Sequence, residues 1–378
     1  MTFYLAILYV VPFIAFLGKI FARKQALRFN SDGSLKNEDR ANFFFVFIVM
    51  LILVLLAGLR SSWNDTGAYI FEYGRMTSDF NDYVKNQLQL FQGDWAFTFI
   101  NRFIKAYISK DSWVFLMFYS AVTVTITVSM LDKYSKDFDL AVFLFIATQF
   151  YWTQMGAIRQ SFAGALLFAA FPLIEKKKFL KYALIVLVAA QFHNSAYMFL
   201  LIYFLCKIPA FSKYSVWFLV GGALLFISYP ITGEFINELL SDSKYGDSYS
   251  SGISSSNDGT NPLRFVIELV PVVLALAAKD DIKANEKHVN VVFNMALLQV
   301  IFTAFSIKYW IFFRFIIYSQ PFSIILLCWA LKYFPSNSRW KDIIRILCFG
   351  LYSVYYYIFM KLSSSTYMSD ILNISAYH

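Results

Sequence analysis

Four arginines, Arg60, Arg159, Arg264 and Arg314, each stand at or just inside the end of a long apolar run. A charge at membrane depth costs about 2.5–3.5 kcal/mol at a helix centre and less near the interface, so four of them suggest use. A guanidinium fork matches pairs of phosphate oxygens, and an ammonium does not. Taken together the four suit one shared anionic ligand. Taken singly, each could as well snorkel to lipid headgroups or close an internal ion pair. Proton carriers are scarcer. Of three histidines, His288 and His378 lie elsewhere, and His193 sits in the turn Phe192-His193-Asn194-Ser195. An imidazole there can take up a proton near neutral pH, or simply close a helix end. Asp65, five residues beyond Arg60, is a second candidate carboxylate. Glu268 lies four residues after Arg264 on one helix face, where it either makes a structural pair or orients Arg264. No metal is expected: the outer loops lack Asp-x-Asp and no compact His/Asp/Glu cluster is visible. Phosphate-loop, nucleophile-elbow and zinc-protease motifs are absent, and Cys206, Cys328 and Cys348 lie in apolar runs without metal or disulfide spacing.

These residues must be positioned by helices in lipid. Of 378 residues, 59% are apolar, 20% aromatic and only 15% charged, with a mean hydropathy of +0.55. That excludes a soluble enzyme, a disordered chain and a fibrous repeat. In lipid the backbone must satisfy itself, so the class is an all-α polytopic membrane protein in one transmembrane domain, 1–378. Apolar runs predict twelve spans near 2–19, 42–59, 112–131, 139–156, 158–175, 181–193, 195–206, 215–230, 262–278, 289–307, 309–331 and 342–360. The first is expected to be retained rather than cleaved. The sixth and seventh are short, and read as a tight surface turn or as half-helices round a cavity. The net charge of +9 marks topology rather than nucleic acid. One set of loops carries 21 of the 33 Lys and Arg, which makes it cytoplasmic. The four arginines and His193 then fall on the outer side.

Two outer segments are long, 60–111 and 230–262. The first mixes aromatics such as Trp63, Tyr69, Phe80 and Trp95 with Asp65, Asp79, Asp82 and Asp94. It suits a sugar-binding cleft or an interfacial aromatic belt. Within it, 95–108 has near-helical apolar spacing and is too short to span, which predicts an interfacial or re-entrant helix. The second, rich in Ser, Asp and Gly, is either a lid or a solvated connector, with a short helix at 233–240.

Four stretches in order carry a family resemblance. Gly58-Leu59-Arg60 through Asn64-Asp65-Thr66 to Tyr69 resembles the Arg…Asp-Thr…Tyr signature of EpsG-type membrane proteins. Ile158-Arg159-Gln160-Ser161-Phe162-Ala163 resembles their Ile-Arg-Gln-x-x-Ala motif, Phe192-His193-Asn194-Ser195-Ala196 their Phe-His-x-Ser-Ala turn, and Arg314 with Tyr318 their Arg-x-x-x-Tyr span. Asn64 stands where the family often has Gly, and Gly93-Asp94-Trp95 where it has a Glu-Pro-Gly-like start.

The resemblance implies a Wzy-type polysaccharide polymerase of the bacterial inner membrane, with a GT-C-like glycosyltransferase bundle. Such proteins join oligosaccharide repeat units carried on undecaprenyl diphosphate at the outer face, without metal or cofactor. Arg60, Arg159, Arg264 and Arg314 would then offset the diphosphate charge. His193 or Asp65 would take the acceptor proton. Tyr69, Gln160, Asn194, Glu268 and Tyr318 would hold sugar or phosphate oxygens or orient other groups. Partners implied are lipid-linked glycans, membrane lipids, a flippase and chain-length regulators, with no nucleic acid. A lipid-linked oligosaccharide flippase and an O-antigen ligase stay as alternatives.

Overall fold

The computed structural model describes residues 1–22, 28–29, 35–36, 40–241, 259–334 and 340–377, by backbone alone at 28–29, 35–36, 229–241 and 311. The chain divides into two compact units. One comprises Met1–Ala169, Gln191–His193 and Asp342–His378, the other Ala170–Ala190 and Asn194–Lys341.

In the first unit the helices are α1 (Thr2–Ile20), α2 (Phe43–Gly58), α3 (Thr66–Arg75), α4 (Trp95–Tyr107), α5 (Ser112–Tyr134), α6 (Phe138–Ala147), α7 (Phe150–Gly156) and α8 (Ile158–Ala170). Within it α1 packs on α2 and α6, and α2 packs on α5. The second unit holds α9 (Phe179–Ala190), a 3-10 turn Asn194–Met198, α10 (Phe199–Leu205), α11 (Lys213–Ser241), α12 (Leu263–Ala277), α13 (Lys279–Asn285), α14 (Val289–Ser306) and α15 (Phe313–Tyr333). Its core is α14 on α15, with α12 against both. The last helix, α16 (Trp340–Leu362), belongs to the first unit from Asp342 on. Among the described residues, Arg28–Phe29 (β1) pairs with Leu35–Lys36 (β2), and Tyr367–Ser369 (β3) with Ile374–Ala376 (β4).

Each predicted span overlaps helix, but not every span is one continuous helix. By length and hydropathy six helices among the described residues can cross a membrane, Thr2–Ile20, Ser112–Tyr134, Ile158–Glu175, Val289–Ser306, Phe313–Tyr333 and Trp340–Leu362. Shorter apolar stretches include Phe43–Gly58, Phe138–Ala147, Phe179–Ala190 and the Lys213–Ser228 part of α11. Two departures stand out. The predicted span 139–156 is broken between α6 and α7, where Gln149 takes a left-handed φ of 71°. Thr148 and Thr153 hydroxyls there donate back to the carbonyls of Leu144 and Gln149, so polar backbone at the break is held by side chains. The helix predicted to end at 230 runs on to Ser241, so the separate helix expected at 233–240 is the end of α11. The rest of that outer segment, 242–258, and His378 lie outside the described residues.

At one end of the first unit four charges interlock. Lys19 Nζ lies 2.7 Å from Asp137 and 3.2 Å from Asp139, and Arg345 lies 3.0 and 3.6 Å from the same two acids. They tie α1, α6 and α16 together. The β3–β4 hairpin folds back on the same unit. Ser61 and Ser62 N–H groups donate to the Met368 carbonyl, Met368 N–H donates to Ser62, and Ser369 Oγ donates to Leu59. Tyr4 donates through its hydroxyl to Ala376 and accepts from Tyr367 N–H.

Candidate functional site

The site is built on the loop after α2. Arg60 is buried there, 2% exposed. A helix C-terminus leaves carbonyls without partners and a partial negative charge. The Arg60 guanidinium answers two of these ends at once: Nη1 donates to Ala57 at the end of α2, and Nη2 to Met155 near the end of α7, at 2.7 Å. Nε donates to Thr66 Oγ1 at 2.9 Å, and the Trp63 indole donates to Trp152 in α7 at 2.8 Å. The expected ligand-facing Arg60 is therefore a buried brace among the described residues, since all three nitrogens point to protein oxygens. The next turn depends on Asn64, whose φ of 46° lies in the left-handed region. Glycine and asparagine adopt it most easily, so the departure from the family's Gly keeps the backbone shape. Asn64 packs on Gly156, where an added Cβ would come within 2.7 Å of its Nδ2.

Three residues past Gly156, on the first turn of α8, stands Arg159. Its Nη1 lies 2.9 Å from Asp94 Oδ2, and His193 Nδ1 lies 3.6 Å from that same oxygen. The Arg159 side chain is 37% exposed while that of Asp94 is 4% exposed. A buried carboxylate is costly unless paired; here an arginine pairs with it, and the His193 imidazole stands beside the same oxygen, beyond hydrogen-bonding distance. The partners are brought together by local bonds. Asp94 stands at the N-cap of α4. Just beyond it, Ala96 N–H donates to the Gln191 carbonyl and the Trp95 indole to the Gln191 side chain. The turn carrying His193 is thus sewn to the start of α4. Phe192 anchors it from below on Phe162 of α8, with ring centroids 4.5 Å apart. The Arg159 guanidinium lies 5.7 Å from the centroid of Tyr69 and 5.6 Å from that of Phe97. Burial raises the Tyr69 phenol above its ordinary value, and hydrogen bonding and attraction to Arg159 offset part of this. Gln160, beside Arg159, is buried. Asp65 is exposed at the N-cap of α3, and its side chain makes no cap bond.

The second unit holds the other predicted residues. Arg264 is buried in the first turn of α12, its Nε 3.9 Å from Glu268, and its guanidinium lies 4.6 Å from the centroid of Phe313. Glu268 Oε2 accepts from Gln320 Nε2 at 3.1 Å, Gln320 Oε1 accepts from Gln299 at 2.6 Å, and Gln299 Oε1 accepts from Ser319. A buried acid in a helical core needs such a chain, because each unmet polar group there costs about 1–3 kcal/mol. Arg314 is exposed over Trp310, 5.1 Å from the ring centroid. Tyr318 is buried with its hydroxyl 2.7 Å from Ser195 Oγ, one residue past Asn194.

Sequence reasoning missed Asp94 as a site residue. Its signal was the acid in Gly93-Asp94-Trp95, at the start of the amphipathic stretch. The outer-segment aromatics pack on one another and on the helices α5 and α7. Phe80 meets Phe99, Phe103 and Tyr107, Tyr73 stacks on Phe115, and Trp63 packs on Trp152. Among the described residues no group of three or more His, Cys, Asp or Glu side chains is placed to hold a metal ion.

Apolar helices, broken backbone held by polar side chains, and a charged cluster at the helix ends define a multi-pass membrane protein. The sequence profile of the EpsG family matches residues 43–373. The chain belongs to the EpsG family, consistent with a membrane protein of polysaccharide-polymerase type. No curated protein and no solved structure matches it.

Proposed function

We propose that the chain joins undecaprenyl-diphosphate-linked oligosaccharide repeat units by glycosyl transfer, at the outer face of the bacterial inner membrane, in a GT-C-like bundle of about twelve spans. The observation that carries the reading is the Asp94 carboxylate paired with Arg159 and standing beside His193. In the proposed step an acceptor hydroxyl attacks the anomeric carbon of the donor. The bond from that carbon to the diphosphate oxygen breaks, and its electron pair leaves with the diphosphate. His193, oriented by Asp94, takes the hydroxyl proton. Arg159 meets the charge that grows on the leaving group, and interactions that strengthen as that charge appears lower the barrier.

Tyr69 and Gln160 flank this cation and are assigned to oxygens of sugar or phosphate. Arg264 and Arg314 in the second unit are assigned to diphosphate oxygens, with Glu268 orienting Arg264, and Asn194 and Tyr318 to polar substrate groups. Arg60 is assigned to bracing the two helix ends, and Asp65 yields the base role to His193. No metal or cofactor enters the proposal. Arg345, the basic residue that would best suit a transport path, is engaged with Asp137 and Asp139, which supports transfer over flipping. The test is purified protein with lipid-linked repeat units. A ladder of increasing repeat number, lost in Arg159→Ala and His193→Ala variants that still insert, is expected. One capped product, or translocation without a new bond, would replace the reading by a ligase or a flippase.

A further inference from the structure

We infer that an apolar groove in the second unit holds part of the isoprenoid chain of the lipid-linked substrate, an inference that rests on the polyprenyl-diphosphate reading above. The groove encloses about 550 Å³ among α10, α11, α14 and the turn before α15, within the roughly 300–1,000 Å³ typical of pockets that bury small ligands. Its walls are hydrocarbon and aromatic, Leu201, Leu205, Trp217, Leu225, Ile301 and Phe312 among them. Such walls by themselves suit any acyl chain.

The run Phe312-Phe313-Arg314 selects among them. Phe312 lines the groove. Phe313, the next residue, presents its ring to the Arg264 guanidinium at 4.6 Å. Arg314 follows, exposed over Trp310. Arg264 is buried, yet its Nε and Nη1 have no hydrogen-bond partner among the described residues. Three consecutive residues thus join a hydrocarbon slot to two guanidinium groups. An extended apolar chain ending in a diphosphate has that same order of parts. Gly221 shows where the slot can be narrowed. A Cβ there meets nothing within 4 Å, whereas at Gly222 it would meet Ile301 at 2.7 Å.

The test compares chain length of the carrier. Gly221→Phe, with Gly221→Ala as the small replacement, is assayed on repeat units carried on undecaprenyl diphosphate and on geranyl diphosphate. A larger side chain at this helical position also removes a glycine, which favours the helix. For Gly221→Phe, KM for the undecaprenyl substrate is expected to rise at least tenfold while the geranyl substrate is unaffected, and Gly221→Ala is expected to match wild type on both. An equal loss on both substrates, or no change on either, overturns the groove as the tail site and leaves it to bilayer lipid. Failure of the wild-type protein to extend either substrate would instead overturn the polymerase reading on which the inference stands.

Discussion

Arg60 donates through Nη2 to the carbonyl of Met155 at 2.7 Å, and so links the loop after α2 to the stub helix that delivers Arg159. One of the four cations that the sequence offers to an anionic ligand is thus a joint between two helix ends. Arg60→Met is expected to lose hydrogen bonds worth about 1.5–3 kcal/mol each, since the donor is charged. Lysine cannot span the three acceptors either. Thermal unfolding in detergent should show both variants markedly less stable than wild type, and a variant as stable as wild type would remove this role.

The grouping of Arg159, Asp94 and His193 makes a kinetic prediction. Arg159→Lys keeps a charge but loses the fork, and is expected to lower kcat by about 10²–10³, the usual cost of one preorganised donor. His193→Gln is expected to lower kcat by about 10²–10⁴, because the general base is gone. Asp94→Asn, which leaves the imidazole in place, should lower it less. An unchanged kcat in His193→Gln would assign the proton to another group.

Asn64 and Gly156 should behave as a pair. Gly156→Ala brings a Cβ to 2.7 Å from Asn64 Nδ2 and 3.2 Å from its Cβ, an overpacking expected to cost about 1–3 kcal/mol. Asn64→Gly removes the obstructing side chain while keeping a residue that tolerates positive φ. The double variant should therefore be more stable than Gly156→Ala alone. Strict additivity in a double-mutant cycle would show that the two do not touch.

In the second unit, Gln320→Leu removes one bond to Glu268 Oε2 and one to Gln299 Nε2, leaving the side-chain bond between Glu268 and Gln299. A polar partner lost in such a buried network costs about 1–3 kcal/mol. Glu268→Gln, which keeps an acceptor for Gln320, should be the milder change. Unfolding midpoints for the two variants, measured side by side, check the order.

The helices were legible because lipid demands long apolar runs, and those runs are continuous in the sequence. The break at Gln149 was not, because no Gly or Pro marks it and its polar groups are met by Thr148 and Thr153. The arginines were legible as types but not as destinations. Arg60 and Arg159 both sit past the end of an apolar stretch, and only packing decides that one is buried among carbonyls while the other reaches the surface. Asp94 was hidden because its partners are remote in the chain, and its placement depends on Gln191 bonding to Trp95 and Ala96. The β3–β4 hairpin was invisible because its strands are three residues each and the groups that anchor it, Ser61, Ser62 and Leu59, are remote in the chain.

That hairpin sets an order of events during synthesis. Leu59 and Ser369, which bond to each other, are 310 positions apart. The ribosome releases the Arg60 loop long before the strand that completes its hydrogen bonding. Until then the first helices inhabit the bilayer with a rim that is unfinished, so a nascent chain stalled before β3 should be a favoured target for membrane proteases.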